Sequence, residues 1–97
     1  MATYDWHAGK AAANERKHNL GFREASTVFA DPLAILTPDP DHSVTEERWV
    51  IIGLSNRLRV LVVVYVERHT TIRIISARRA TSHERENYEE GTRRFRS

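Results

Sequence analysis

The chain has 97 residues with a net charge of +2, 40% hydrophobic and 29% charged residues, and no cysteine. That length suits one domain with one modest core, and the composition is that of a folded chain rather than a disordered one. The absence of cysteine excludes disulfides, thiolate chemistry and Cys-based zinc sites and fits a reducing, cytoplasmic setting, while the longest apolar run, Val60 to Val66, is too short to cross a bilayer. The first residues, Met1 to Trp6, have neither the basic start nor the apolar stretch of a signal peptide.

In chain order, Thr3 to Trp6 reads as a short edge strand. Ala8 to His18 (AGKAAANERKH) is rich in helix formers, and Asn19-Leu20-Gly21 turns the chain, because Asn and Gly tolerate positive φ. Phe22, Ala25, Ser26 and Phe29 recur at helical spacing, so Phe22 to Ala30 is expected to be a second amphipathic helix, stopped by Asp31-Pro32. Leu33 to Thr37 is a short apolar strand, and Pro38 to Ser43 a loop. Three strand-like runs follow: Glu47 to Leu54, Arg59 to Arg68 and Thr71 to Ala77. They are joined by the turns Ser55 to Leu58 and His69-Thr70, and such short connections imply antiparallel neighbours. The middle run is nearly continuous in β-branched residues and should be central. Thr81-x-x-Glu84 is a capping box that opens a helix running to about Glu90. Gly91 is expected to end it, leaving residues 92–97 as a flexible basic tail. The order predicts one α+β domain over residues 1–97: a small antiparallel sheet, two N-terminal helices and one C-terminal helix. The last helix has Tyr88 as its one large apolar side chain up to Glu90, so it is expected to be loosely held or to dock elsewhere.

Charge is unevenly distributed. Residues 46–97 carry eleven arginines against seven glutamates, and within 57–79 six arginines face Glu67 alone. Arginine's planar fork of donors matches phosphate or carboxylate, so the basic half points to an anionic partner, a nucleic acid or an acidic protein. The five histidines are scattered without metal-ligand spacing, although Asp39, Asp41 and His42 share a loop. No metal or other cofactor is expected. The four glycines are isolated, so there is no phosphate loop, and Ser55 and Ser76 lack a nucleophile-elbow context.

Guanidinium groups beside a phenol or imidazole can cleave RNA without a metal. The ribose 2′-hydroxyl attacks the adjacent phosphate, a base takes its proton, and cations stabilise the charge on the phosphate oxygens. The candidate catalytic residues are Arg48, Arg78 and Arg79, with Tyr65 and His18 as weaker candidates for proton transfer or base contact. Lys17, Arg57, Arg59 and Arg73 are candidate phosphate contacts, and Trp49 could stack a splayed base. The plainer alternatives are arginines solvated or paired with Glu46, Glu47 and Glu67, and Lys17-His18 serving only the helix dipole.

The ordered set of motifs resembles the BrnT toxin family. It comprises Asp5-Trp6-x-x-x-Lys10-x-x-x-Asn14-x-x-Lys17-His18, Phe22-x-x-Ala25-x-x-Val28-Phe29-x-Asp31-Pro32, Asp41-His42-Ser43, Glu47-Arg48-x-x-x-x-Gly53, Leu61-Val62-Val63-Val64-Tyr65, Arg73 to Arg78 with Ala80, and Glu84 with Tyr88. The family's usual Lys-His-Gly-Val is here Lys17-His18-Asn19-Leu20-Gly21, a variation in a turn. The resemblance implies a RelE-like fold and a ribonuclease that halts translation. It also implies a BrnA-like antitoxin partner in a hetero-oligomer, and an operator DNA bound through that antitoxin. Two rival readings are a non-enzymatic module whose basic face holds a partner protein, and direct DNA binding by the last helix, which its glutamates oppose.

Overall fold

The computed structural model describes residues 2–39 and 47–96, with side chains described through Arg93. Asp41, His42 and Glu46 lie outside the described residues. The elements are β1 (Thr3–Trp6), α1 (Ala8–His18), α2 (Phe22–Ser26) continued by a 3₁₀ turn (Thr27–Ala30), β2 (Ile35–Pro38), β3 (Arg48–Leu54), β4 (Val60–Arg68), β5 (Thr71–Arg79) and α3 (Ser82–Arg96). The five strands form one sheet in the order β1-β5-β4-β3-β2. Pairs β2–β3, β3–β4 and β4–β5 are antiparallel, but β1 runs parallel to β5. The expected antiparallel sheet is therefore mixed. β1 pairs with the far side of β5, Thr3 opposite Thr71, across almost the whole sequence, and no local signal reports such a pairing.

One face of the sheet carries the main core. Leu20, Phe22, Ala25 and Val28, all nearly inaccessible, pack from α1, α2 and the turns around them onto Leu61, Val63, Tyr65 and Ile74. Each large side chain buried this way contributes about 1.5–3 kcal/mol. The second helix is shorter than its apolar spacing suggests, because it tightens into the 3₁₀ turn at Thr27. That tightening brings Val28 over Gly53, where an added Cβ would lie 3.1 Å from the Ala34 Cβ and 3.3 Å from the Val28 carbonyl oxygen. The glycine permits this close crossing.

β1 covers β5 only from Thr71 to Ile74. Beyond it, the buried Asn14 side chain of α1 takes over the edge. Its Oδ1 accepts from the Ala77 N–H at 3.1 Å, and its Nδ2 donates to the Ala77 carbonyl at 2.8 Å and the Leu20 carbonyl at 3.2 Å. A side-chain amide thus replaces a peptide of the missing strand.

α3 begins at the expected capping box. The Thr81 N–H donates to Glu84 at 2.8 Å, and the Glu84 N–H donates to the Thr81 hydroxyl at 3.2 Å. It does not stop at Gly91 but continues to Arg96, so most of the expected tail is helical. Only Glu84, Tyr88 and Thr92, four residues apart, are shielded along its described length. Two polar contacts hold it. Arg78 forks onto Glu84 at 2.7 and 2.9 Å, and the Tyr88 hydroxyl donates to Asp31 Oδ2 at 2.5 Å. The Arg78 hydrogen bonds draw the Glu84 carboxyl down to about 2, against the opposing effect of burial. Burial also pushes Asp31 up, but hydrogen bonds from the Leu54 N–H, Tyr88 and the Leu33 N–H outweigh it, and the net shift is downward.

Two predictions follow from these anchors. Asn14→Ala orphans the Ala77 peptide and should lower the unfolding free energy by about 2–3 kcal/mol in urea titrations; a loss under 0.5 kcal/mol, on the order of a surface substitution, would remove the edge role. Glu84 has a depressed folded-state pKa, so its stabilisation is present above its ordinary value of 4.5 and disappears as the pH falls toward about 2. The gap in Tm between the wild type and Glu84→Gln should accordingly be open at neutral pH and close across that window.

Candidate functional site

The face opposite α1 and α2 takes its character from the strand register. Asp5, Arg73, Val66 and Arg48 lie in one row across β1, β5, β4 and β3. Val66 is only 2% exposed although no helix of the main core covers it. Arg68 stands beyond Val66 on the same face, opposite Thr71. Where β1 ends, the first turn of α1 brings His7 and Lys10 to this corner. The result is a depression of about 220 Å³ lined by His7, Lys10, Arg48, Arg68 and Arg73.

His7 is fixed by the helix it caps. Its Nδ1 accepts from the Gly9 N–H at 3.1 Å and the Lys10 N–H at 3.3 Å. A ring nitrogen that accepts these amides carries no proton, so any hydrogen bond the His7 ring donates comes from Nε2. Arg73 makes one long contact, 3.5 Å, to Asp5, with both side chains substantially exposed. The corner therefore concentrates cationic donors that solvent and a polyanion can reach.

The other expected site residues lie elsewhere. Arg78 faces the same side as Arg48 but pairs with Val62, while Arg48 pairs with Val66; four residues of β4 separate the rows, roughly 13 Å along the strand. Its guanidinium is held by Glu84 and also donates to the Arg79 carbonyl at 3.2 Å. Arg79 is exposed at the end of β5 and lines a second cleft there with Arg59. Arg59 is bound to the buried Glu24 through Nε at 2.9 Å and through Nη2. Arg57 is exposed in the β3–β4 turn. The proposed catalytic trio Arg48, Arg78 and Arg79 is thus divided between the two ends of the sheet.

Tyr65 requires correction, and Trp49 lies beside it. Both lie on the helix-covered face, opposite one another in the β3–β4 register. Tyr65 is 4% exposed, edge-on to Phe29 with ring centroids 4.8 Å apart, and burial pushes its phenol up. It is a core residue, unable to meet RNA or to supply a phenolate. Trp49 packs against the same core. Lys17 and the half-buried His18 sit in the last turn of α1, closed by Asn19 at φ 52°. His18 lies roughly 12 Å along the helix from Lys10, so it does not join the depression. His7, Lys10 and Arg68 were not singled out from the sequence. Lys10 belongs to the first motif, but only the packing of α1 beside β5 shows that it faces Arg73. Among the described residues, no group of three or more His, Asp or Glu is placed to hold a metal ion, and no helix is long and apolar enough to cross a membrane.

A family model described as the ribonuclease toxin BrnT of type II toxin–antitoxin systems matches residues 6–84, ending in the first turn of α3. Among solved structures, the chain is similar to the Brucella abortus ribonuclease toxin BrnT, a 1.1 Å crystal structure. The TM-score is 0.66 at 22% identity, covering 84% of this chain and 100% of that one. At that identity the likeness shows the fold. No curated protein matches the chain.

Arg59 can be tested as a structural residue. Glu24 is 9% exposed and is held below its ordinary value by the Arg59 hydrogen bond, then by Ser55, against burial. Arg59→Ala strands that carboxylate and should cost about 3 kcal/mol in equilibrium unfolding. Double substitution with Glu24→Gln should recover part of the loss, whereas an unchanged midpoint for Arg59→Ala would return the residue to the candidate RNA contacts.

Proposed function

The chain belongs to the BrnT family of ribonuclease toxins of type II toxin–antitoxin systems, and we propose that it cleaves RNA, without a metal ion, at the basic depression on the open face of the sheet. The observation that carries this reading is the convergence of Lys10, Arg48, Arg68 and Arg73 with His7 around one hollow. Phosphodiester cleavage by the neighbouring 2′-hydroxyl forms a bond from that oxygen to phosphorus, breaks the bond to the 5′-oxygen and leaves a cyclic phosphate, with water taking the 2′-hydroxyl proton and returning one to the departing 5′-oxygen. Negative charge grows on the non-bridging oxygens as this happens, and donors fixed in place before the reaction stabilise it most. Arg48 and Arg73, facing across Val66, are placed to grip a phosphate from two sides, and their permanent charge supplies what a metal ion otherwise would. Lys10 and Arg68 hold adjoining phosphates of the strand. His7 offers a further hydrogen bond from Nε2 to the same group.

In this reading Arg78 is a positioning residue that holds α3, and Arg79 acts outside the reacting centre. The protein works in the cytoplasm, where a BrnA-like antitoxin binds it in a hetero-oligomer and supplies the operator-binding element. Family membership and the net positive charge support these points.

Purified protein with a chelator present should fragment RNA into products ending in cyclic phosphate. Arg73→Ala, at a half-exposed position, should keep its Tm and lose about a hundredfold in cleavage rate. Arg78→Ala should loosen α3 and slow cleavage far less. Full activity in folded Arg73→Ala, or activity that vanishes with chelator, would sink the proposal.

A further inference from the structure

The turn between β3 and β4 carries an unusual residue for its conformation. Leu58 has φ 62°, in the left-handed region, and its side chain is 78% exposed. A leucine there is strained and finds no apolar cover, so the fold gains nothing from it locally. A buried polar cluster nevertheless holds the turn in place. The Leu58 N–H donates to the Ser55 carbonyl at 2.9 Å, and the Ser55 N–H donates to the Arg59 carbonyl at 2.9 Å. The Ser55 hydroxyl, itself 3% exposed as a residue, donates to Glu24 Oε2 at 2.7 Å and accepts from the Arg57 N–H at 3.2 Å. Glu24 is in turn gripped by Arg59. The leucine is thus presented on a rigid base rather than on a loose loop.

Beside it, between the turn and α3, lies a cleft of about 370 Å³. Leu54, Val60 and Tyr88 give it an apolar floor, and Arg79 and Arg85 stand around it beside the Glu24-bound Arg59, with Glu89 as the one opposing charge on the rim. Among the described residues Arg79 makes no ion pair, and the Arg85–Glu89 contact is long, at 3.7 Å. An apolar floor, a positive rim and an exposed rigid knob suit a protein segment with a large apolar side chain flanked by carboxylates. Preorganisation of the knob lowers the entropy cost of docking, and rim charge sets the choice of partner.

We propose that Leu58 and the adjoining cleft are the docking surface for an acidic, apolar-anchored segment of the antitoxin. This rests on the toxin reading above but uses the opposite end of the sheet from the RNA site.

The test compares the wild type, Leu58→Gly and Leu58→Asp for calorimetric binding to the purified antitoxin of its own operon, with RNA cleavage and Tm measured on the same samples. Glycine relieves the backbone strain while deleting the knob, so Leu58→Gly should keep or raise Tm, retain wild-type RNA cleavage and weaken antitoxin binding about tenfold or more. Leu58→Asp, repelled by the carboxylates of the docking segment and lacking the apolar contact, should weaken it further. Binding within about twofold of wild type in both variants overturns the inference. So does a wild-type protein that self-associates through Leu58 and binds antitoxin independently of it. If the wild type cleaves RNA but does not bind the antitoxin, this inference alone falls; if it does neither, the toxin reading falls with it.

Discussion

The structure depends on how the free edge of β5 is satisfied. β1 pairs with that edge only as far as Ile74, and the Asn14 amide supplies the donor and acceptor for Ala77. Burying an unpaired peptide would be costly, so this one side chain fixes α1 along the sheet edge. With α1 fixed, its N-terminus stands where β1 stops, and His7 and Lys10 arrive beside Arg73. The same anchoring carries Leu20 and Phe22 into the core. One amide therefore couples the hydrophobic layer on one face to the cationic corner on the other.

The arginines divide into two kinds according to what lies near them. At the β3–β4 turn and at the start of α3, guanidinium groups are matched with carboxylates that the fold needs in place, Arg59 with Glu24 and Arg78 with Glu84. These pairs are forked or partly buried, which makes them structural. At the Arg48 end, Arg73 has only a long, exposed contact to Asp5, a pairing of little energetic weight. A polyanion competes poorly for the first kind and well for the second. Of the three, Arg73 is the arginine that the protein's own carboxylates commit least.

α3 shows the other consequence of polar anchoring. Its shielded stripe is narrow and includes the Tyr88–Asp31 hydrogen bond, and the match to the family ends in the first turn of this helix. A helix with so little apolar burial gains little free energy from packing. It serves as one wall of the cleft beside Leu58, and its position there rests on the Arg78–Glu84 fork more than on a core of its own.

Much of this was legible in the chain itself. Periodicity and turn residues placed β1, α1, β3, β4, β5 and the capping box of α3, because each depends on neighbours within a few residues. The ordered motifs from Asp5 to Tyr88 pointed to the family that the comparison then showed. The extent of α3 past Gly91 was not legible, since one glycine lowers helix propensity without forbidding it. Nor were the parallel pairing of β1 and the grouping of the arginines. Arg73 and Arg78 are five residues apart, so strict alternation puts them on opposite faces. The irregularity between Val64 and Tyr65 pairs them instead with Val66 and Val62, on the same face. Composition and local pattern determined that this is a basic α+β domain. The register of one bulged strand and the seating of one helix on a sheet edge decided which of its cations lie together, because those are long-range contacts that no local stretch of sequence encodes.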